Sequence, residues 1–415
     1  MKYVTSLACI NCGREYEPKP DKYLCSNCGE EGLLDVKYDY QEIKRDWSKE
    51  DLKQNYERNI WRYLPLLPVD PATTRPSLQV GWTPMYQSKA LAKQLGLENL
   101  YIKDDGLNPT ASLKDRASVM AVVKGQEGGA TTVACSSTGN AATSLAGNIA
   151  SMGGDMEAVI FVPERVPGGK LAQLLIFGAQ VVKVKGSYEE AYYLSDKAIK
   201  KWGWYNRNAA INPYLLEGKK TAVIELAEQL NWDMPDWLVF SVGDGCTIAG
   251  AWKGLYDLKQ IGFINRIPRL LGVQAEGCAP ITESFKTDKP LETTSEDTLA
   301  DSIAVGSPRN YRKALEGIKA SQGSMINVTD EEILEMMQLL GQTTGVFGEP
   351  AGVAGLAGLQ KMVEEDKIES TAEVVTVVTG NGLKDIVNAK RATDAPLEVK
   401  PDINELEKYL VKGEL

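Results

Sequence analysis

One lysine in this chain stands where an amine could act as a nucleophile. The stretch Asn108-Pro-Thr-Ala-Ser-Leu-Lys114-Asp-Arg116 joins an extended apolar segment, Leu100–Lys103, to a predicted helix over Asp115–Lys124. Pro109 fixes φ in the turn, and Ser112 is the predicted N-cap of the helix. Lys114 thus falls at the mouth of a helix behind a strand. Burial and the local positive potential there would lower its pKa and free part of the amine. A free lysine amine can form a Schiff base with an aldehyde. The plainer alternative is that Lys114 opens an ordinary surface helix.

Three further loops fall at predicted strand-to-helix junctions, where backbone N–H groups are available to anions. Cys135-Ser-Ser-Thr-Gly-Asn140 offers hydroxyls and an amide suited to a carboxylate or phenolate, or else a simple Ser/Thr cap. Val242-Gly-Asp-Gly-Cys-Thr-Ile-Ala-Gly250 reads as a phosphate cradle, provided the Asp244 side chain turns away. Val378-Thr-Gly-Asn-Gly-Leu-Lys-Asp385 places the Thr379 hydroxyl at a strand end, although its glycines alone would also suit a tight turn.

Composition narrows the chemistry. The 415 residues contain no histidine, which excludes Ser-His-Asp and Cys-His catalysis and histidine-ligated metals. Proton transfer must then use Lys, Asp, Glu, Tyr, Cys or a cofactor. A net charge of −10 argues against a nucleic-acid partner and against an anionic membrane surface. With no long apolar run and no apolar core at the N-terminus, the expected location is the cytoplasm. Of seven cysteines, Cys9, Cys12, Cys25 and Cys28 form C-x2-C-x12-C-x2-C, the pattern of a closed structural zinc site. A redox-active or metal-free hairpin is the alternative.

The elements that must position these groups follow from the hydrophobic pattern. Residues 1–35 read as a zinc ribbon. Residues 36–80 read as a linker with a helix running through Tyr56 and Tyr63, then proline-punctuated chain in which Trp61, Tyr63 and Leu64 need burial. Strands are predicted at 131–134, 158–162, 181–184, 237–242, 270–274 and 374–378. Helices are predicted at 141–152, 169–177, 188–202, 218–231, 331–341 and 351–366. Apolar runs alternating with helices indicate an α/β fold of mostly parallel sheets, with ligands at the carboxyl ends of the strands.

A reactive lysine, an anion-holding loop, a glycine-rich phosphate loop and a hydroxyl at another strand end are together the parts of a pyridoxal phosphate site. In this order they resemble the fold-type II pyridoxal-phosphate enzymes, and among them the threonine synthase group. The resemblance spans nearly the whole chain. It includes the four-cysteine ribbon, Trp61-Arg-Tyr63, Gly-x-Thr83-Pro84, the Lys114 and Ser137-Thr-Gly-Asn140 motifs, Asn212-Pro213, Glu217-Gly-Lys-Lys-Thr221 and Thr379-Gly-x-Gly-Leu-Lys-Asp385. It implies two parallel-sheet domains after the ribbon: a large cofactor-binding domain (81–118 and 219–395) and a small mobile substrate domain (119–218), with an extension at 396–415. It also implies a homodimer acting on a small amino acid, with structural zinc in the ribbon.

By the same resemblance, Lys114 carries the cofactor and moves protons at the substrate carbons. Asn140, Gly243, Asp244, Gly245, Cys246, Thr247 and Thr379 complete the cofactor site, with Thr379 at the pyridine nitrogen. Ser112, Ser137, Thr138, Asn140 and Lys220 serve the substrate. The implied reaction converts O-phosphohomoserine and water to threonine and phosphate. The sequence departs from the family at several substrate positions. Leu215 stands where an arginine would bind the substrate phosphate, and Ala141, Asn381 and Ala111-Ser-Leu113 are also altered. Arg207, Lys219 and Arg309 are the candidate replacements. These changes keep open a β-elimination or β-replacement on a serine-, phosphoserine- or threonine-like substrate. A non-catalytic zinc-ribbon binding protein is the reading from another class.

Overall fold

In the computed structural model, residues 1–137, 139–164, 168–208 and 210–412 are described. The N-terminal segment is a small antiparallel sheet in which β1 (Val4–Cys9) lies between β2 (Glu15–Tyr16) and β3 (Leu34–Tyr38). Short helices at Tyr40–Asp46 and Lys49–Gln54 follow, the second closed by a capping box between Ser48 and Asp51. The helix expected through Tyr56 and Tyr63 is not formed. Asn55 ends the second helix in extended backbone, Tyr56 is exposed, and a 3-10 segment begins at Ile60. Trp61 and Tyr63 are buried as expected, and Leu64 is half-buried.

Two further sheets carry the rest of the chain. The larger is built from β4 (Met85–Gln87), β5 (Asn99–Asp104), β10 (Trp237–Ser241), β11 (Arg269–Ala275), β12 (Ser324–Val328) and β13 (Glu373–Val378). Its order is β12-β11-β10-β13-β5-β4, parallel except for β4 at the edge. The smaller contains β6 (Thr132–Ser136), β7 (Glu157–Pro163), β8 (Gln180–Val184) and β9 (Tyr205–Asn206), parallel in the order β8-β7-β6-β9. Strands such as Trp237-Leu-Val-Phe-Ser241 are buried at every position because helices cover both faces. Among the described residues no helix is long and apolar enough to cross a membrane.

Six helices position the site: α1 (Lys114–Glu127), α2 (Asn140–Ala150), α3 (Pro213–Lys219), α4 (Thr221–Gln229), α5 (Cys246–Gln260) and α6 (Pro350–Glu364). The single helix expected over 218–231 is instead a pair, α3 and α4, meeting at Lys220. Gly218 allows this contact with α1: a Cβ there would fall 1.9 Å from the Arg116 carbonyl oxygen.

A buried charge network lies directly beneath α1. Arg116 donates from Nε to Asp105 Oδ2 (2.7 Å) and from Nη1 to Glu225 Oε2 (3.0 Å). Glu225 also pairs with Lys103 and accepts from the N–H groups of Trp82 (2.5 Å) and Thr83 (2.7 Å). Arg116, Asp105, Glu225 and Lys103 are all fully buried. Such a network gains little over an apolar core, but removing one member leaves uncompensated charge. Glu225→Ala is expected to cost about 3–5 kcal/mol, read from the shift in chemical-denaturation midpoint. A loss below about 1 kcal/mol would show that the network does not hold α1.

Candidate active site

The carboxyl ends of three neighbouring strands, β10, β13 and β5, deliver the three loops that surround Lys114. Val378, the last residue of β13, pairs with Asp104, the last of β5, so Thr379 and the Lys114 turn begin side by side. The turn is then tied to the β13 loop. Leu113 N–H donates to the Thr379 carbonyl (2.8 Å), Asn381 N–H donates to the Ala111 carbonyl (3.1 Å), and Ser112 bridges Gly380. Ala111 adopts a left-handed φ of 65°, the strain at which this turn reverses.

Lys114 is the first residue of α1, one position earlier than expected. Leu113, not Ser112, occupies the N-cap position. The Ser112 hydroxyl accepts only a long bond from Lys114 N–H (3.4 Å). Thr110 instead is held by Asp115, whose carboxylate accepts from its N–H (2.7 Å) and its hydroxyl (2.8 Å). Burial pushes the Lys114 amine down to about 8, and the nearby positive charges of Lys219 and Arg207 act in the same direction against the opposing Glu349 carboxylate.

Asn140 opens α2 at the carboxyl end of β6, and its Nδ2 donates to Glu349 Oε1 at 2.7 Å. Glu349 is the buried N-cap residue of α6, followed by Pro350 at the first helical position. Sequence reasoning missed this carboxylate, although an acid ahead of a proline at a helix start marks such a cap position. The Ser137 hydroxyl accepts from Gly139 N–H (3.2 Å), which shapes the loop. Thr138 lies outside the described residues.

The β10 loop leads into α5. Gly245 has a φ of 85°, and a side chain at Gly243 would meet the Ile303 backbone at 2.9 Å, so both glycines are required by geometry. The Asp244 side chain is engaged elsewhere, the condition set for a phosphate cradle here. Its carboxylate accepts from Arg309 N–H (2.7 Å), so it has only its peptide group to offer a phosphate. Burial raises the pKa of this carboxyl. Cys246, the first residue of α5, accepts from Asn310 Nδ2 (2.9 Å). Thr247 and Thr379 are half-buried.

Lys220 is a correction. The structure commits this expected substrate residue to a buried network, where its ammonium pairs with Glu217 and Asp257 (2.6 Å to Asp257). Tyr38 of β3 donates to Glu217 (2.6 Å), so these charges join the N-terminal sheet to α3 and α5. A long apolar stem beside two carboxylates makes it structural. Its neighbour Lys219 faces the site instead. Arg309 also turns away, exposed and donating to Tyr192 Oη at 2.6 Å.

The arrangement fits pyridoxal phosphate. A lowered lysine amine, an amide fixed by a carboxylate, a glycine loop at a helix N-terminus and a strand-end hydroxyl occupy one crevice. In the N-terminal sheet, the sulfurs of Cys9, Cys12, Cys25 and Cys28 lie within 4.8 Å of one another. The Tyr16 hydroxyl, 3.0 Å from Cys25, pushes that thiol down to about 6, while its cysteine neighbours, Cys12 first, push Cys28 up to about 12.

Comparison with known proteins adds lineage to this geometry. Residues 76–380 match the family described as pyridoxal-phosphate dependent enzyme. The chain is 40% identical over 405 residues to a threonine synthase of Methanocaldococcus jannaschii, covering 97% of this chain and 98% of the relative. It is also 40% identical over 403 residues to one of Methanosarcina acetivorans, covering 96% of each. In fold it is similar to a threonine deaminase isoform of Solanum lycopersicum, with a TM-score of 0.65 at 21% identity. That match covers 84% of this chain and 94% of the other.

If Lys114 is the residue that binds the cofactor, capture of pyridoxal phosphate by the cofactor-free protein should track the uncharged amine. Its rate should rise with pH through about 8 and level off above. Lys114→Ala should lose the visible absorption of bound cofactor after desalting. A variant that keeps this band would overturn the assignment.

Proposed function

This chain belongs to the threonine synthase group of the pyridoxal-phosphate-dependent enzymes, and on that premise we propose that it converts O-phosphohomoserine and water to threonine and phosphate. The observation that carries the reading is Lys114 itself. It is a lysine with its amine held near pKa 8, at the junction of three strand ends that each supply one wall of the crevice.

Pyridoxal phosphate, when bound, supplies the electron sink that acidifies the substrate Cα–H. The chain's own residues do the remaining work. Above about pH 8 the Lys114 amine is mostly uncharged and can accept a proton, first from Cα and then from Cβ. Returning one of these protons to Cγ after phosphate has left from that carbon creates the methyl group; water then adds its hydroxyl at Cβ and gives its proton to the released phosphate, and the other proton goes back to Cα. Ser137 and Asn140, with the first N–H groups of α2, hold the substrate carboxylate. Glu349 fixes the Asn140 amide so that its remaining N–H can face the cofactor ring oxygen.

Gly243, Gly245, Cys246 and Thr247 surround the cofactor phosphate at the N-terminus of α5, with Asp244 contributing through its backbone. A neutral Thr379 hydroxyl at the pyridine nitrogen, in place of a carboxylate, favours eliminations and replacements over transamination. The large domain (81–118 and 219–395) holds the cofactor, and the small domain (119–218) closes on the substrate. The protein acts in the cytoplasm as a homodimer.

The test is to supply O-phosphohomoserine to the holoenzyme and follow inorganic phosphate and threonine, with O-phosphoserine, serine and threonine in parallel. Equal amounts of phosphate and threonine are expected. A 2-oxo acid from one of the other substrates, without phosphate release from phosphohomoserine, would reassign the site to β-elimination.

For the N-terminal sheet we propose structural zinc. Four sulfurs this close suit a cation that they join as thiolates, and a four-sulfur site leaves the metal no open position for catalysis. Elemental analysis should find one zinc per chain, and Cys12→Ser should lower metal content and thermal stability together. A metal-free native protein of full stability would reject this.

A further inference from the structure

Among the described residues, two buried cations in the active-site crevice form no ion pair. Arg207 follows β9 directly, where its N–H donates to the Ala134 carbonyl at 2.9 Å. Its side chain is 1% exposed. Among the described residues its one side-chain hydrogen bond runs from Nε to Ser118 Oγ (3.0 Å), and the buried Nη2 has no partner. Ser118 in turn hydrogen-bonds Ser144. Ser118 stands four residues after Lys114 on α1, and Ser144 four after Asn140 on α2. Residues four apart share a helix face. The guanidinium therefore sits one turn behind both Lys114 and Asn140, between the two helices that carry them.

Lys219 closes the other side. It ends α3 against α5, where a Cβ on Gly250 would lie 3.1 Å from its own Cβ, and it is 4% exposed. Among the described residues it makes no hydrogen bond or ion pair, whereas adjacent Lys220 has two carboxylates. Its charge is near enough to act on Lys114, Asp244 and Cys246. Asp115, whose charge acts on Arg207, is already committed to Thr110 and Asn148. Burying one unpaired cation is costly, and burying two in one crevice more so, unless an anion of matching charge binds between them. Leu215, at the position where an arginine was expected, is fully buried in the core of the small sheet and offers nothing to an anion.

We propose that Arg207 and Lys219 form the subsite for the departing phosphate of a phosphorylated amino-acid substrate, replacing the arginine absent at 215. The assignment rests on the threonine-forming reading above. A phosphate monoester is a dianion with three acceptor oxygens, so it matches two cationic donors approaching from different elements, the end of β9 and the end of α3. The cofactor's own phosphate is provided for separately, by the peptide groups at the start of α5.

The experiment measures binding of inorganic phosphate to the holoenzyme by calorimetry, together with kcat and KM for O-phosphohomoserine. Arg207→Gln and Lys219→Gln should each weaken phosphate binding and raise KM by roughly ten- to hundredfold, with the cofactor absorption band retained. Arg207→Lys should recover part of the loss, which guards against a Gln variant that fails to fold. Phosphate affinity within about twofold of wild type in both Gln variants would overturn the proposal. So would loss of cofactor affinity in place of phosphate affinity, since the cations would then serve the cofactor. Calorimetry needs no turnover. If wild type forms no threonine yet the variants still lose phosphate binding, the subsite stands and the substrate reading falls.

Discussion

The ion cluster around Arg116 is the interaction on which the site depends. Arg116 lies two residues past Lys114, and its guanidinium is locked between Asp105 at the end of β5 and Glu225 on α4. Glu225 also gathers Lys103 and the backbone of Trp82 and Thr83. One buried network therefore ties a central strand, the entering loop and two helices to the first turn of α1. A charge cluster of this kind is a poor source of net stability, but it admits few alternative arrangements, because any displacement leaves a charge unpaired. The amine is positioned by the residue that cannot move beneath it.

Above that foundation the crevice is unusually rich in positive charge. Burial alone would lower the Lys114 pKa, and Lys219 and Arg207 deepen the effect while Glu349 opposes it. The same cations thus serve two ends. They favour the uncharged form of the lysine, and on the reading proposed above they also favour an anion in the crevice. Glu349 limits the excess and orients Asn140 across the pocket. A second buried network, Tyr38 with Glu217, Lys220 and Asp257, joins the four-cysteine sheet to the helices that present Lys219 and the glycine loop. The N-terminal sheet is accordingly packed into the scaffold of the site, although it contributes no residue to the crevice.

Much of the fold was legible from short apolar runs bounded by turn residues and alternating with helical patterns, because such runs fit strands of a parallel sheet covered by helices. Seven strands follow from this pattern, Asn99–Asp104 and Glu373–Val378 among them. The short β4 and β9 and the edge strand β12 escape it. Their residues alternate or are too few to stand out, and they are strands only because a longer neighbour pairs with them. The helix break at Lys220 was invisible for a related reason. The α3–α4 break lies beside the close packing of Gly218 on Arg116, a contact with a residue about a hundred positions away that no local pattern reveals.

The sequence by itself determined which groups could do chemistry. With no histidine, one lysine behind a Pro-fixed turn, glycines where a helix begins and four cysteines at paired spacing, residue types and local backbone demands pointed to a lysine-bound cofactor and a metal knuckle. Tertiary structure decided which of the candidate cations face the crevice. Lys219 and Lys220 are neighbours in a polar run, and nothing local separates them. Only the packing of α3 against α1, α5 and β3 gives one lysine two carboxylates and leaves the other beside Lys114. Arg207, Lys219 and Arg309 were equal as letters. Burial and the positions of distant acids left two of them buried without an ion pair among the described residues and turned the third to the surface, because the energy of a charge is set by its surroundings in space.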